Sequence, residues 1–159
     1  MTAPKVLDAA THNRMSRQSC RNTAPELAVR AALRSLGLSY RLHASGLPGR
    51  PDIVNKSARW AIFVHGCFWH HHPGCSRATV PQNNREWWLE KFEKNARRDE
   101  LKLDQLKELG FDVLVVWECV ALNTSLLRQI LQTWFESRGG STAVLRCTRR
   151  SRTRVLHGG

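Results

Sequence analysis

The sequence predicts an α/β domain with a central mixed sheet flanked by helices. Three observations lead there. Apolar residues at helical spacing mark a helix before residue 37, a second at 85–109 and a third after residue 123. Short apolar runs bounded by turn residues mark strands at 39–42, 52–54, 60–64 and 113–117. These elements alternate as helix, three strands, helix, strand, helix, and such mixing buries both kinds of element by packing helices on a sheet.

Each element has a local reason. Thr23 can cap the first helix, Pro25 suits its first turn, and Glu26 stands where a capping-box carboxylate belongs. Leu27, Ala31 and later leucines give its stripe, and Gly37 stops it. The second strand is entered through the turn Gly46-Leu47-Pro48-Gly49-Arg50-Pro51. The third, from Trp60, is continuously apolar, which suits a strand covered on both faces. In the long helix Leu89, Phe92, Leu103 and Leu106 approximate one face, with Gly110 as the stop. The last helix is capped by Asn123 or Thr124 and carries Leu127, Ile130, Leu131 and Trp134. Three regions follow: a flexible basic arm at 1–21, a folded domain at 22–137, and a basic, disordered tail at 138–159.

Composition narrows the function. The 159 residues suffice for a hydrophobic core without disulfide staples. Lysine and arginine number 25 against 13 acidic residues, a net charge of +12, which favours a polyanionic partner. Much of the excess comes from the arginine-rich tail, so charge speaks for nucleic acid and not for catalysis. No apolar run is long enough to span a membrane, and the N-terminus lacks the apolar core of a signal peptide, so the chain is expected in the cytoplasm with no membrane partner. Five cysteines, Cys20, Cys67, Cys75, Cys119 and Cys147, are an odd number in such a chain and argue for metal ligation over a disulfide framework.

The densest chemistry lies in His65-Gly66-Cys67-Phe68-Trp69-His70-His71-His72-Pro73-Gly74-Cys75. A structural zinc takes thiolate and imidazole ligands in a closed tetrahedron. Cys67, Cys75 and one of the three consecutive histidines can supply three of them, and Cys119, beyond a buried strand, is the candidate for the fourth. A second, harder site is suggested by Asp52 at a strand start: its carboxylate and the backbone carbonyl of Val64 on the next strand can seat magnesium. His65 and His70 suit proton transfer near neutral pH. Phe68 and Trp69 are neighbours, so one core cannot take both if they lie on a strand. An exposed aromatic pair beside a metal site suits wedging between base pairs. Trp87 and Trp88 repeat the theme, one for the core and one for DNA. Asp52 after proline and Glu26 in a capping box each also have a purely local explanation.

These residues resemble the very-short-patch repair (Vsr) endonucleases, a branch of the restriction-endonuclease-like fold. The resemblance spans residues 15–135 and rests on four segments in order: Leu47-Pro48-Gly49-Arg50-Pro51-Asp52; Phe63-Val64-His65-Gly66-Cys67-Phe68-Trp69-His70; Trp88-Leu89-Glu90-Lys91 with Asn95; and Val115-Val116-Trp117-Glu118-Cys119. It implies a magnesium-dependent enzyme that nicks one DNA strand 5′ to the thymine of a T:G mismatch, the lesion left when 5-methylcytosine deaminates; a monomer suits so asymmetric a lesion. Asp52 and the Val64 carbonyl would hold magnesium, His65 and His70 would be the acid–base pair, and Glu26 would support them. Cys67, His72, Cys75 and Cys119 would bind zinc. Phe68, Trp69 and Trp88 would enter the duplex and the arm at Met15 would clasp it, with mismatch-repair proteins as further candidate partners. Departures are the Pro73-Gly74 spacing, which leaves His71 as a rival zinc ligand, the valine at 64 where relatives often carry threonine, and the unmatched tail. The competing readings are a same-fold endonuclease of a restriction system acting on matched or modified DNA, and a non-catalytic zinc module that binds DNA.

Overall fold

The computed structural model describes residues 21–138 and 143–144. Helix α1 (Ala24–Ser35) leads into strands β1 (Arg41–Leu42), β2 (Ile53–Asn55) and β3 (Trp60–His65). Helix α2 (Arg85–Glu108) and strand β4 (Asp112–Trp117) follow, then the short α3 (Glu118–Ala121), helix α4 (Thr124–Glu136) and strand β5 (Ala143–Val144). The five strands lie in chain order, antiparallel from β1 to β3 and parallel from β3 to β5. This is the mixed sheet flanked by helices that the sequence predicts. β5 falls inside the stretch expected to be a disordered tail: residues 143 and 144 extend the sheet beside Leu114 and Val115. The rest of that tail, and the arm with Met15, lie outside the described residues.

β3 and β4 form the centre. Ala61, Ile62, Val113, Leu114 and Val116 are fully buried, as a strand covered on both faces requires. Trp60 closes one end of the core, meeting the rings of Trp134 and Phe135 edge-on at 6.5 and 5.2 Å. α1 contributes Val29 and Leu33, four residues apart on one face. α4 is capped by Asn123, whose Oδ1 accepts the Leu126 N–H at 3.1 Å, and it buries Leu127, Leu131 and Trp134.

Two local expectations are revised. The Thr23 hydroxyl does not cap the backbone of α1. It accepts none of the helix's first N–H groups and instead donates to Glu26 Oε1 at 3.0 Å. Glu26 Oε2 in turn accepts the Asn22 N–H. In α2, Leu89 faces outward and Trp88, one residue earlier, takes the inward position with Phe92 and Leu106.

Truncation at the sheet's centre tests this core. Leu114→Ala should cost about 2–5 kcal/mol of unfolding free energy, read from urea denaturation at fixed metal concentration.

Candidate active site and metal centre

The C-terminal ends of β3 and β4 and the loop after β3 gather nearly all the chemistry. The loop is tightly wound: His70 N–H donates to Gly66 O at 3.1 Å, His71 N–H to Phe68 O at 3.2 Å and His72 N–H to Cys67 O at 2.9 Å. His71 adopts a left-handed φ of 47°, which reverses the chain between its neighbours. Consecutive histidines therefore part company. His70 turns to one site, His72 to another, and His71 stacks on Phe92 at 4.7 Å.

The first site is a cavity of about 570 Å3 whose walls include Glu26, Asp52, Val64, His65, His70, Asp99 and Glu118, with Arg50, Arg98 and Lys102 among its cationic members. Asp52 reaches it from the residue before β2. The preceding turn is pressed against the domain: a Cβ on Gly49 would stand 3.0 Å from the Phe63 ring and 3.1 Å from Lys102 Cβ, and its φ is +71°. Glycine is thus required there, and the turn fixes where Asp52 emerges. Asp52 Oδ2 accepts the Val64 N–H at 2.8 Å, tying β2 to β3. Burial pushes its carboxyl above the usual 3.8; the Val64 bond opposes this, the Glu26 charge adds to it, and His43 and His70 lower it.

His65 ends β3 and is 8 % exposed. Its ring lies parallel to that of His70, with centroids 3.9 Å apart and 7° between planes. Burial foremost, then the charge of His70, lowers its pKa to about 3, so it is neutral across the physiological range. His70 Nδ1 lies 2.5 Å from Asp99 Oδ2. Burial alone would raise the Asp99 carboxyl, but the hydrogen bond and charge of His70, with His65 and Arg98, hold it below the usual value. A carboxylate on Nδ1 fixes the tautomer and leaves Nε2 for chemistry. Asp99 was not among the sequence candidates. It sits in Arg97-Arg98-Asp99-Glu100, which reads as a solvated helix face, and only tertiary packing reveals its partner.

Glu26 also borders the cavity, with both its oxygens engaged. Besides Thr23 and Asn22, it pairs with the buried Arg30 at 3.2 Å. Its capping role and its place at the site coexist.

The second site joins Cys67, His72, Cys75 and Cys119, whose ligand atoms all lie within 4.8 Å of one another. His72 Nδ1 is 3.6 Å from Cys67 Sγ and 3.5 Å from Cys119 Sγ. A tetrahedral zinc with ordinary bond lengths has an S···N edge of about 3.6 Å, so the spacing fits that ion. Burial raises the thiols of Cys67 and Cys119, and neighbouring sulfurs raise Cys119 further. Thiolates packed this way need a cation among them. His72, and not His71, is the histidine of this cluster. Glu118 stands between the two sites, accepting the Cys67 N–H at 3.2 Å and pairing with Arg77 at 3.1 Å.

The aromatic group borders both. Phe68 and Trp69, each partly exposed, meet edge-on at 5.1 Å, and Phe68 also touches Trp88 and Phe92. Trp88, expected in the duplex, is only 2 % exposed. It is the floor on which Phe68 and Trp69 rest, while Trp87 stays half-exposed. The sequence pointed to one core and one outer tryptophan; Trp88 is the core one, and Trp87 is partly exposed. Lys91 Nζ lies over Trp87, Trp88 and Trp69 at 4.6, 5.2 and 5.9 Å, and Asn95 Nδ2 donates to Trp69 O at 3.2 Å.

A part-buried carboxylate just before β2, a carboxylate-oriented imidazole, and three cationic side chains among the carboxylates of one cavity together define the class of site found in enzymes that hydrolyse phosphodiesters. Comparison with known proteins agrees. A family model described as DNA mismatch endonuclease Vsr matches residues 5–77. The chain is 41 % identical over 145 residues to the DNA mismatch endonuclease Vsr of Escherichia coli K12, covering 87 % of this chain and 92 % of that protein. It is 47 % identical over 105 residues to the type II nicking enzyme V.XorIIP of Xanthomonas oryzae pv. oryzae, covering 66 % of this chain and 76 % of the relative. The type II nicking enzyme V.NmeAIP of Neisseria meningitidis is 40 % identical over 111 residues, covering 70 % of this chain and 79 % of the relative. The chain belongs to the DNA mismatch endonuclease Vsr family. It is accordingly a DNA endonuclease, with a Cys/His cluster able to hold a metal ion. No helix among the described residues is long and apolar enough to cross a membrane.

The raised Asp52 carboxyl carries a stability consequence. Folding penalises its charged form, so the cost is present above its folded pKa and absent below the unfolded value of 3.8. Asp52→Asn, which keeps an oxygen for the Val64 N–H, should raise the thermal midpoint at neutral pH without added divalent cation. The gain should shrink as the pH falls toward 3.8, as circular dichroism melts across a pH series would record.

Proposed function

We propose that this enzyme nicks one strand of duplex DNA 5′ to the thymine of a T:G mismatch, acting as a monomer in the bacterial cytoplasm. The observation that carries this reading is one cavity lined by the part-buried Asp52 carboxylate and the His70–Asp99 pair, beside the Phe68–Trp69 aromatics. A monomer suits an asymmetric lesion.

Asp52 and the Val64 carbonyl would hold magnesium, and Cys67, His72, Cys75 and Cys119 would hold zinc. Magnesium bound there supplies charge neutralisation at the scissile phosphate and makes water a better nucleophile. The protein's own groups do the rest. Asp99 retains the Nδ1 proton of His70, and His70 Nε2 takes the proton from the attacking water. His65, neutral and stacked against His70, holds that ring in place and is a second imidazole able to accept a proton, while the protonated His70 returns its proton to the leaving oxygen. Glu26, fixed by Arg30, Thr23 and Asn22, adds negative charge near Asp52 and orients water. Arg50, Arg98 and Lys102 receive phosphates and set the register of the duplex.

Recognition falls to Phe68 and Trp69, braced from below by Trp88. A mispaired step unstacks at lower cost than a Watson–Crick step, so wedging discriminates by deformability. The arm at Met15 would clasp the duplex, and mismatch-repair proteins are candidate partners.

Labelled duplexes of one sequence carrying T:G or T:A, with and without magnesium, test the reading by mapping the nick. Wild type should cut only T:G, only with magnesium, and on the thymine strand. Asp52→Ala should abolish cutting while retaining zinc, and His70→Ala should lower kcat by about 10²–10⁴-fold. Equal cutting of T:A would transfer the assignment to an endonuclease acting on matched DNA, and full activity of Asp52→Ala would end the metal-site reading. Cys119→Ser should lose zinc and melt at lower temperature, since a structural zinc contributes directly to folding.

A further inference from the structure

We propose that Trp117 is a positioning residue that couples the Cys/His cluster to the catalytic histidine pair. The proposal rests on the catalytic reading above and adds to it a residue with no polar contact to the chemistry. Trp117 ends β4, and the parallel register sets it directly opposite His65 on β3. Its indole has two working surfaces. The face stacks on His72 with centroids 4.1 Å apart and 6° between planes. His65 meets it edge-on at 5.4 Å and 77°.

His65 in turn stacks on His70, and His70 hydrogen-bonds Asp99. An unbroken column of rings therefore runs from a ligand of the cluster, through Trp117, to the carboxylate that orients His70. Trp117 is only 6 % exposed and its Nε1 has no hydrogen-bond partner among the described residues. Packing alone holds it, so its influence on either side is that of shape and rigidity. Two faces of one flat, stiff side chain fix the separation of His72 from His65, and a smaller or branched side chain cannot meet both.

The consequence is directional. Loosening Trp117 should displace His65, held by stacking, and through it the ring of His70, more than it displaces His72, which lies among three sulfurs and would share a metal ion with them. Catalysis should suffer while the cluster persists, because misplacement of a catalytic group by about 1 Å can cost about 10²-fold.

Trp117→Phe and Trp117→Leu test this in protein carrying Co2+ in place of zinc and 15N-labelled histidine. Both variants should keep the cobalt–thiolate absorption. Trp117→Leu should merge or broaden the ring signals of His65 and His70, and lower kcat on the order of 10²-fold with KM for the mismatched duplex within about twofold. Trp117→Phe, which keeps a flat ring, should recover most of both. Loss of the cobalt absorption in Trp117→Phe would overturn the proposal, since the residue would then serve only to hold the cluster. Unchanged histidine signals and kcat in Trp117→Leu would overturn it as well. If Trp117→Leu does not fold, Trp117→Met, which also lacks a flat ring, takes its place: disturbed His65 and His70 signals with intact cobalt absorption support the coupling, and undisturbed signals refute it. The histidine spectra need no DNA, so they report on the coupling even if the T:G assignment fails.

Discussion

The parallel pairing of β3 with β4 sets Val64 beside Val116 and His65 beside Trp117, and both sites hang from that register. One residue of slip would send each side chain to the opposite face of the sheet. His65 would leave the cavity, and the loop carrying Cys67 would no longer approach Cys119 just beyond the end of β4. The register is protected by burial on both sides, since Ala61, Ile62, Val113 and Leu114 can be exchanged for their neighbours only by breaking the core. The apolar centre of the sheet is thus what places the polar chemistry at its end.

From that anchor the loop after β3 serves two masters. Its winding turns His70 toward Asp99 and His72 toward three sulfurs, with His71 reversing the chain between them. A metal ion held by Cys67, His72 and Cys75 would restrain both ends of the segment that carries Phe68, Trp69 and His70. Structural metal ligation so close to catalytic groups removes loop entropy that a larger core would otherwise have to offset. Glu118 adds a second restraint by accepting the Cys67 N–H, and its neighbour Cys119 is itself a ligand candidate.

Legibility in the sequence follows the range of the interactions concerned. The helices, the strand order and the zinc-type donors could be read because periodicity, turn residues and a Cys/His cluster are local patterns. Asp52 could be read because the turn before it is unusual, although only the packed Gly49 explains why that turn is rigid. The choice of His72 over His71 could not be read, since it depends on a single left-handed residue. Asp99 was hidden in a charged helix run, where nothing local separates a carboxylate that faces solvent from one that faces His70. Trp88 could be marked as important from the family pattern, but its burial beneath Phe68 and Trp69 rests on tertiary packing that no local pattern shows. Strand β5 was missed because two residues leave no periodicity to detect.

Charge resolves into two scales with opposite sign. The chain as a whole carries +12 and draws a polyanion from a distance of about the Debye length, ~8 Å at physiological salt. The cavity, by contrast, has Glu26, Asp52, Asp99 and Glu118 in its walls. A phosphate drawn in by the outer field meets carboxylates at close range, and repulsion there would oppose its seating. Arg50, Arg98 and Lys102 offset part of this, and Asp99 is partly spent on His70. The remaining deficit lies around Asp52, whose carboxyl burial already pushes upward. A cation at that carboxylate relieves its desolvation and admits the phosphate together, which links metal binding to substrate binding by necessity. His65, kept neutral by its burial, adds no fixed positive charge that would compete with a cation at Asp52.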